Sequence, residues 1–68
     1  KGEFKMKFAE LHLKENNRKI AINPLLISAV SVNEEGTTRI YYTDIKQRDA
    51  VKEEYEVVLM RIHDALRS

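Results

Sequence analysis

With 68 residues, 12 of them basic and 11 acidic, the chain has room for one domain and carries a net charge of +1. That near-balance gives no electrostatic reason to invoke a nucleic-acid or anionic-membrane partner, and the absence of cysteine excludes disulfides and thiolate metal sites. A chain of this size buries only about 60% of its unfolded surface, and oligomerisation is a common remedy for so thin a core.

Residues 1–68 read as a single domain. Gly2-Glu3-Phe4 and Arg67-Ser68 look like remnants of a cloning junction, so residues 1–5 and 67–68 are expected to be vector-derived, with Met6 as the natural start. From Phe8 the chain alternates, Ala9, Leu11 and Leu13 falling on one side and Glu10, His12 and Lys14 on the other. A period of two predicts a half-buried strand. Glu15-Asn16-Asn17-Arg18 predicts a hairpin, because Asn tolerates the positive φ that tight turns require. Lys19 to Ile22 then returns antiparallel with Ile20 and Ile22 inward.

Ile20 to Val32 carries no charge and holds the single proline, Pro24. Proline cannot donate to a sheet ladder, so Asn23-Pro24 predicts a corner between two strands, the second running from Ile27 to Val32. This stretch is expected to form the buried floor of the fold. Its apolar run, Leu25 to Val32, is too short to cross a bilayer, and a soluble cytoplasmic protein is expected. Glu34-Glu35-Gly36-Thr37 predicts a second turn with Gly36 in the left-handed position. Thr38 to Thr43, rich in β-branched and aromatic residues, predicts a fourth strand.

The next segment supports two readings. Asp44 and Gln47 have the spacing of a capping box that would open a helix continuing to Leu66, whereas Gln47 to Glu53 would serve as a fifth strand with Val51 inward. Beyond it, Tyr55, Val58, Leu59, Ile62 and Leu66 recur at three- and four-residue intervals, with Ala65 at their edge. They predict a helix laying one apolar stripe on the sheet. Val57, Met60 and Asp64 project from the opposite side, flanked by Arg61. Two apolar groups there mark Val57, Met60, Asp64 and Arg61 as a candidate partner surface, for which the adaptable methionine thioether is well suited.

Asn23-Pro24-Leu25-Leu26-Ile27, then Thr37-Thr38-Arg39-Ile40, then Val51-Lys52-Glu53 with Tyr55-Glu56-Val57-Val58, resemble the small flagellar FlbD-type (swarming motility) proteins. The likeness runs from Phe8 to Ile62. Related short bacterial and mobile-element proteins share the pattern, so motility is not implied. The resemblance implies that Val51-Lys52-Glu53 ends a strand, which favours the fifth strand over the long helix. It also implies a non-catalytic accessory role. Two features depart from the family: Thr43 to Ala50 is longer than its tight hairpin, and Val57 and Met60 stand where its helix tends to carry charge.

Residues able to carry chemistry are sparse. His12 and His63 have no metal-ligand spacing, and Ser28 and Ser31 sit in an apolar strand with no base nearby in sequence. Glu53-Glu54 reads as acidic residues complementing the start of a helix. The expectation is therefore no enzyme, no cofactor and no metal. The expected fold is α+β: an antiparallel meander of four or five strands, curled toward a barrel, with one C-terminal helix packed on it. The expected function is a self-associating protein-interaction module accessory to a larger bacterial assembly. The alternative is a small barrel-like nucleic-acid-binding protein, which would need aromatic and cationic groups together on one exposed sheet face. Tyr41 and Tyr42 point to opposite faces, so at most one ring is available.

Overall fold

The computed structural model describes residues 7–67; residues 1–5, expected to be vector-derived, lie outside them, as do Met6 and Ser68. Arg67 closes the helix. Among the described residues the order is β1 (Ala9–His12), β2 (Lys19–Ile22), a 3-10 turn (Pro24–Leu26), β3 (Ile27–Val32), β4 (Thr38–Tyr42), β5 (Arg48–Val51) and α1 (Tyr55–Arg67). This is an α+β fold with antiparallel strands.

The turns follow from local chemistry. Asn17 takes a φ of 61° in the first hairpin, and its N–H donates to Leu13 O at 2.9 Å. Asn23 caps the 3-10 turn, its Oδ1 accepting from Leu25 N at 3.0 Å, and Pro24 is buried behind it. Between β3 and β4, Asn33 Oδ1 accepts from both Glu35 and Thr37 N–H groups, and Gly36 supplies a φ of 88°. No Cβ is tolerated cheaply at that angle.

The strands form two sheets, β1–β2 and β3–β4–β5. The barrel-like curl expected of the meander does not close. A single bridge, Leu13 opposite Val51, joins the sheets, held by Lys14 N to Ala50 O and Lys52 N to His12 O, both 2.9 Å. The 3-10 turn replaces the pairing that β2 and β3 would need, because Pro24 has no N–H to donate and interrupts the ladder there.

Residues 48–51 form the fifth strand, and the helix begins only at Tyr55. The capping-box spacing of Asp44 and Gln47 falls in a loop. Cross-strand pairing of Arg48 to Val51 with β4 supplies backbone partners and buries Val51, which outweighs local helix propensity.

Leu11, Ile22, Ile40, Val51 and Val58 make the core, with Ile20, Ile27, Val30, Tyr42 and Ile62 packed around it. Register divides the larger sheet into two faces. Val30–Ile40–Asp49 and Val32–Thr38–Val51 are inner rows, and Ala29–Tyr41–Arg48 and Ser31–Arg39–Ala50 are outer rows. Val58 packs with Ile40 and Val51, so the helix lies on the inner side. Thr38 Oγ1 is buried in that layer with no hydrogen-bond partner.

Two expectations about burial need correction. The stretch from Ile20 to Val32 is not a buried floor: only Ile22 and Pro24 are buried, and four of the six residues of β3 are exposed. Among the described residues β3 pairs with β4 on one side and with no strand on the other, so it is not covered as a central strand would be. The helix stripe is also rolled from its expected line. Val58 and Ala65 are buried and Ile62 half-buried, while Leu59 is 37% and Leu66 40% exposed. The small Ala65 lets the helix approach β1 closely, where Lys7 N reaches Ala65 O at 3.3 Å. That approach draws the contact line toward Ala65 and leaves Leu66 on the flank.

Candidate interaction surfaces

The densest polar constellation lies where β1 meets the start of α1. Glu53, with its side chain 10% exposed, accepts at Oε1 from the His12 backbone N–H at 3.0 Å. Its Oε2 lies 2.7 Å from His12 Nδ1 and accepts from Arg61 Nη1 at 3.2 Å. The same Arg61 nitrogen donates to Glu10 O at 2.9 Å. Burial, the largest single influence on Glu53, pushes its carboxyl up; the bonds from the His12 ring and backbone, its own backbone N–H and the His12 charge outweigh this and hold it below the usual carboxylate range. A carboxylate engaged by the His12 backbone, the His12 ring and Arg61 staples the end of β1 to the helix. The sequence offered no sign of it, since His12 and Glu53 stand 41 residues apart.

The four residues picked from the helix periodicity separate. Met60 is 55% exposed, whereas Val57 is half-buried. Arg61, although exposed, is engaged with Glu53 and Glu10 and belongs to the staple. Asp64 is exposed and takes part in an interaction of its own. The face therefore offers Met60 and part of Val57 as apolar contact.

A larger apolar surface surrounds β3. Leu25 is 58%, Leu26 48% and Val32 47% exposed, and β3 itself carries no charge. Its outer edge has no neighbouring strand among the described residues. A bulge between Ile27 and Ala29 disturbs one end and leaves Ala29 to Val32 regularly paired with β4.

The outer rows of the larger sheet place Tyr41 between Ala29 and Arg48, beside Arg39, which lies between Ser31 and Ala50. The guanidinium of Arg48 sits 5.5 Å from the Tyr41 ring centroid. The Ser31 hydroxyl, with the Arg48 and Arg39 charges, lowers the Tyr41 phenol below its ordinary value against an opposing desolvation. Tyr42, on the other face, is pushed well up by burial and by donating its hydroxyl to Asp49 Oδ2 at 2.7 Å. Among the described residues, no group of three or more His, Cys, Asp or Glu side chains is arranged to hold a metal, and no helix is long and apolar enough to cross a membrane. No known protein family, curated protein or solved structure matches the chain.

Proposed function

We propose that the protein is a non-catalytic interaction module that associates with a second copy of itself through the open edge of β3. The observation that carries this reading is an uncharged strand of six residues that, among the described residues, lies at the edge of its sheet. Edge strands that remain unpaired are ordinarily guarded by lysine, proline or inward charge. β3 has none of these, only the bulge near Ile27, so Ala29 to Val32 remains available for antiparallel addition of another strand. Leu25 and Leu26 at its start, and Val32 at its end, would add apolar area to such a contact. A net charge of +1 puts little repulsion between copies. The FlbD-type resemblance, proposed from the Asn23-Pro24 corner and the Val51-Lys52-Glu53 step, supports an accessory role in a larger bacterial assembly rather than turnover.

Light scattering across a concentration series tests the reading. Wild type is expected to be dimeric at about 100 μM. Val32→Lys, which charges the edge at an exposed position, is expected to give monomers with an unchanged circular dichroism spectrum. Val57→Lys with Met60→Glu, on the helix, is expected to leave the dimer intact. A wild type that stays monomeric at 1 mM would defeat self-association, and a dimer lost only in the helix variant would move the contact to Val57 and Met60.

A further inference from the structure

We propose that the outer face of β3–β4–β5 binds single-stranded nucleic acid, Tyr41 and the Arg48 plane offering a stacking surface and Arg39 and Arg48 contacting phosphates. The site does not depend on the β3 edge, because the ring and both guanidinium groups come from β4 and β5.

Two rows of the register build the face, and their composition is what matters. Tyr41 has Ala29 on one side and Arg48 on the other; Arg39 has Ser31 and Ala50. The neighbours Ala29, Ser31 and Ala50 are small; Arg48 is exposed, and Arg39 and Tyr41 are half-buried. The opposite side of the sheet carries the core and the helix, so this face is the one turned away from them. The guanidinium carbon of Arg48 lies over the Tyr41 ring, 5.5 Å from its centroid, a cation–π pair that keeps a cation and an aromatic ring together on this face. Bases stack on aromatic rings and on guanidinium planes alike, and every base has a π-face, so such a platform is tolerant of sequence.

Charge is local here rather than global. Lys14 stands at the border, its backbone N–H bonded to Ala50 O, and with Arg39 and Arg48 lines a shallow recess that Glu15 and Asp49 also touch. Asp49 belongs to an inner row and its carboxylate accepts the Tyr42 hydroxyl, so it is turned from the outer face. Arg39, Arg48 and Lys14, whose ammonium donates to Thr37 Oγ1, stand against Glu15 and Asp49, leaving a local excess of one positive charge. An acidic peptide would use the guanidinium groups alone, leaving the ring without a role. A duplex keeps its bases stacked inside, out of reach of a ring on a flat sheet. A single strand has both the phosphates and the free bases that these residues match.

Fluorescence anisotropy with labelled oligo-dT and oligo-U of about ten nucleotides tests the proposal, with the same length of duplex and polyglutamate as comparison ligands. Binding in the micromolar range is expected at 50 mM salt, weakening as salt rises. Tyr41→Leu, which keeps a strand-compatible apolar group, should weaken single-strand binding about tenfold or more, while Tyr41→Phe should retain it. Arg39→Gln and Arg48→Gln should each reduce the salt dependence by about one phosphate contact. Each variant is first checked for an unchanged thermal melt, and a destabilised Tyr41→Leu is replaced by Tyr41→Val. Absence of single-strand binding at 20 mM salt overturns the proposal. So does polyglutamate binding as tight as oligo-dT, or oligo-dT affinity indifferent to loss of the ring, since either outcome makes the face a general anion surface.

Discussion

Glu53 adds a charged tie where the Lys52 N–H to His12 O and Arg61 to Glu10 O bonds also join β1 to the start of the helix. Its two oxygens serve the backbone and ring of His12 and the guanidinium of Arg61, so one carboxylate fixes the end of β1 against the first turns of α1. Bonds to an ionised, mostly buried carboxylate are each worth about 1.5–3 kcal/mol, more than neutral ones. The carboxyl is lowered in the folded protein, so its contribution is complete above the ordinary glutamate range near pH 4.3 and disappears as pH falls through the lower folded value. Urea unfolding of wild type should therefore show stability falling on acidification below about pH 4.5. Glu53→Gln should be less stable than wild type by about 1–3 kcal/mol at pH 7 and should approach it at pH 3. A constant difference between the two proteins at every pH would mean that the ionised form is not what the staple uses.

At the scale of elements, the helix is held by a narrower line than its periodicity indicates. Val58 is fully buried and Ala65 nearly so, whereas Leu59 and Leu66 keep more than a third of their surface in solvent. Val58→Ala should lower stability by about 2 kcal/mol, the scale of a core truncation, and Leu66→Ala by less than about 1 kcal/mol. Equal losses in denaturant midpoints would restore the stripe through Leu66. The contrast explains what could be read from residue order. The first four strands, both turns and the proline corner were legible because alternation, Asn17, Gly36 and Pro24 act over a few residues, whereas the fifth strand, whose local signals also fit a helix, was left open. The roll of the helix was not, because it is set by how closely Ala65 approaches β1, a contact between the two ends of the chain. The exposure of β3 was hidden for a related reason: an uncharged apolar run reads as buried until the strand order leaves it at an edge. The candidate face at Val57 and Met60 was visible from periodicity, but the engagement of Arg61 with Glu53 and Glu10 was not.

For the whole molecule, the two proposed surfaces have a geometric relation that links their behaviour. Antiparallel pairing of β3 with its copy requires a two-fold axis perpendicular to the sheet, because paired residues must point to the same side. The two three-stranded sheets would then continue as one, with both Tyr41 and all copies of Arg39 and Arg48 on a single face. An oligonucleotide long enough to reach both platforms would bind the second from within the complex, at an effective concentration far above that in solution. Wild type is therefore expected to prefer a 30-nucleotide oligo-dT over a ten-nucleotide one by at least tenfold beyond the gain from added sites. Val32→Lys, monomeric and with its outer rows intact, should lose that preference while holding the short oligonucleotide as wild type does. The added lysine can only favour nucleic acid, so a loss of long-strand preference cannot be blamed on its charge. A long-strand preference undiminished in a proven monomer would separate the two surfaces and leave each to be explained alone.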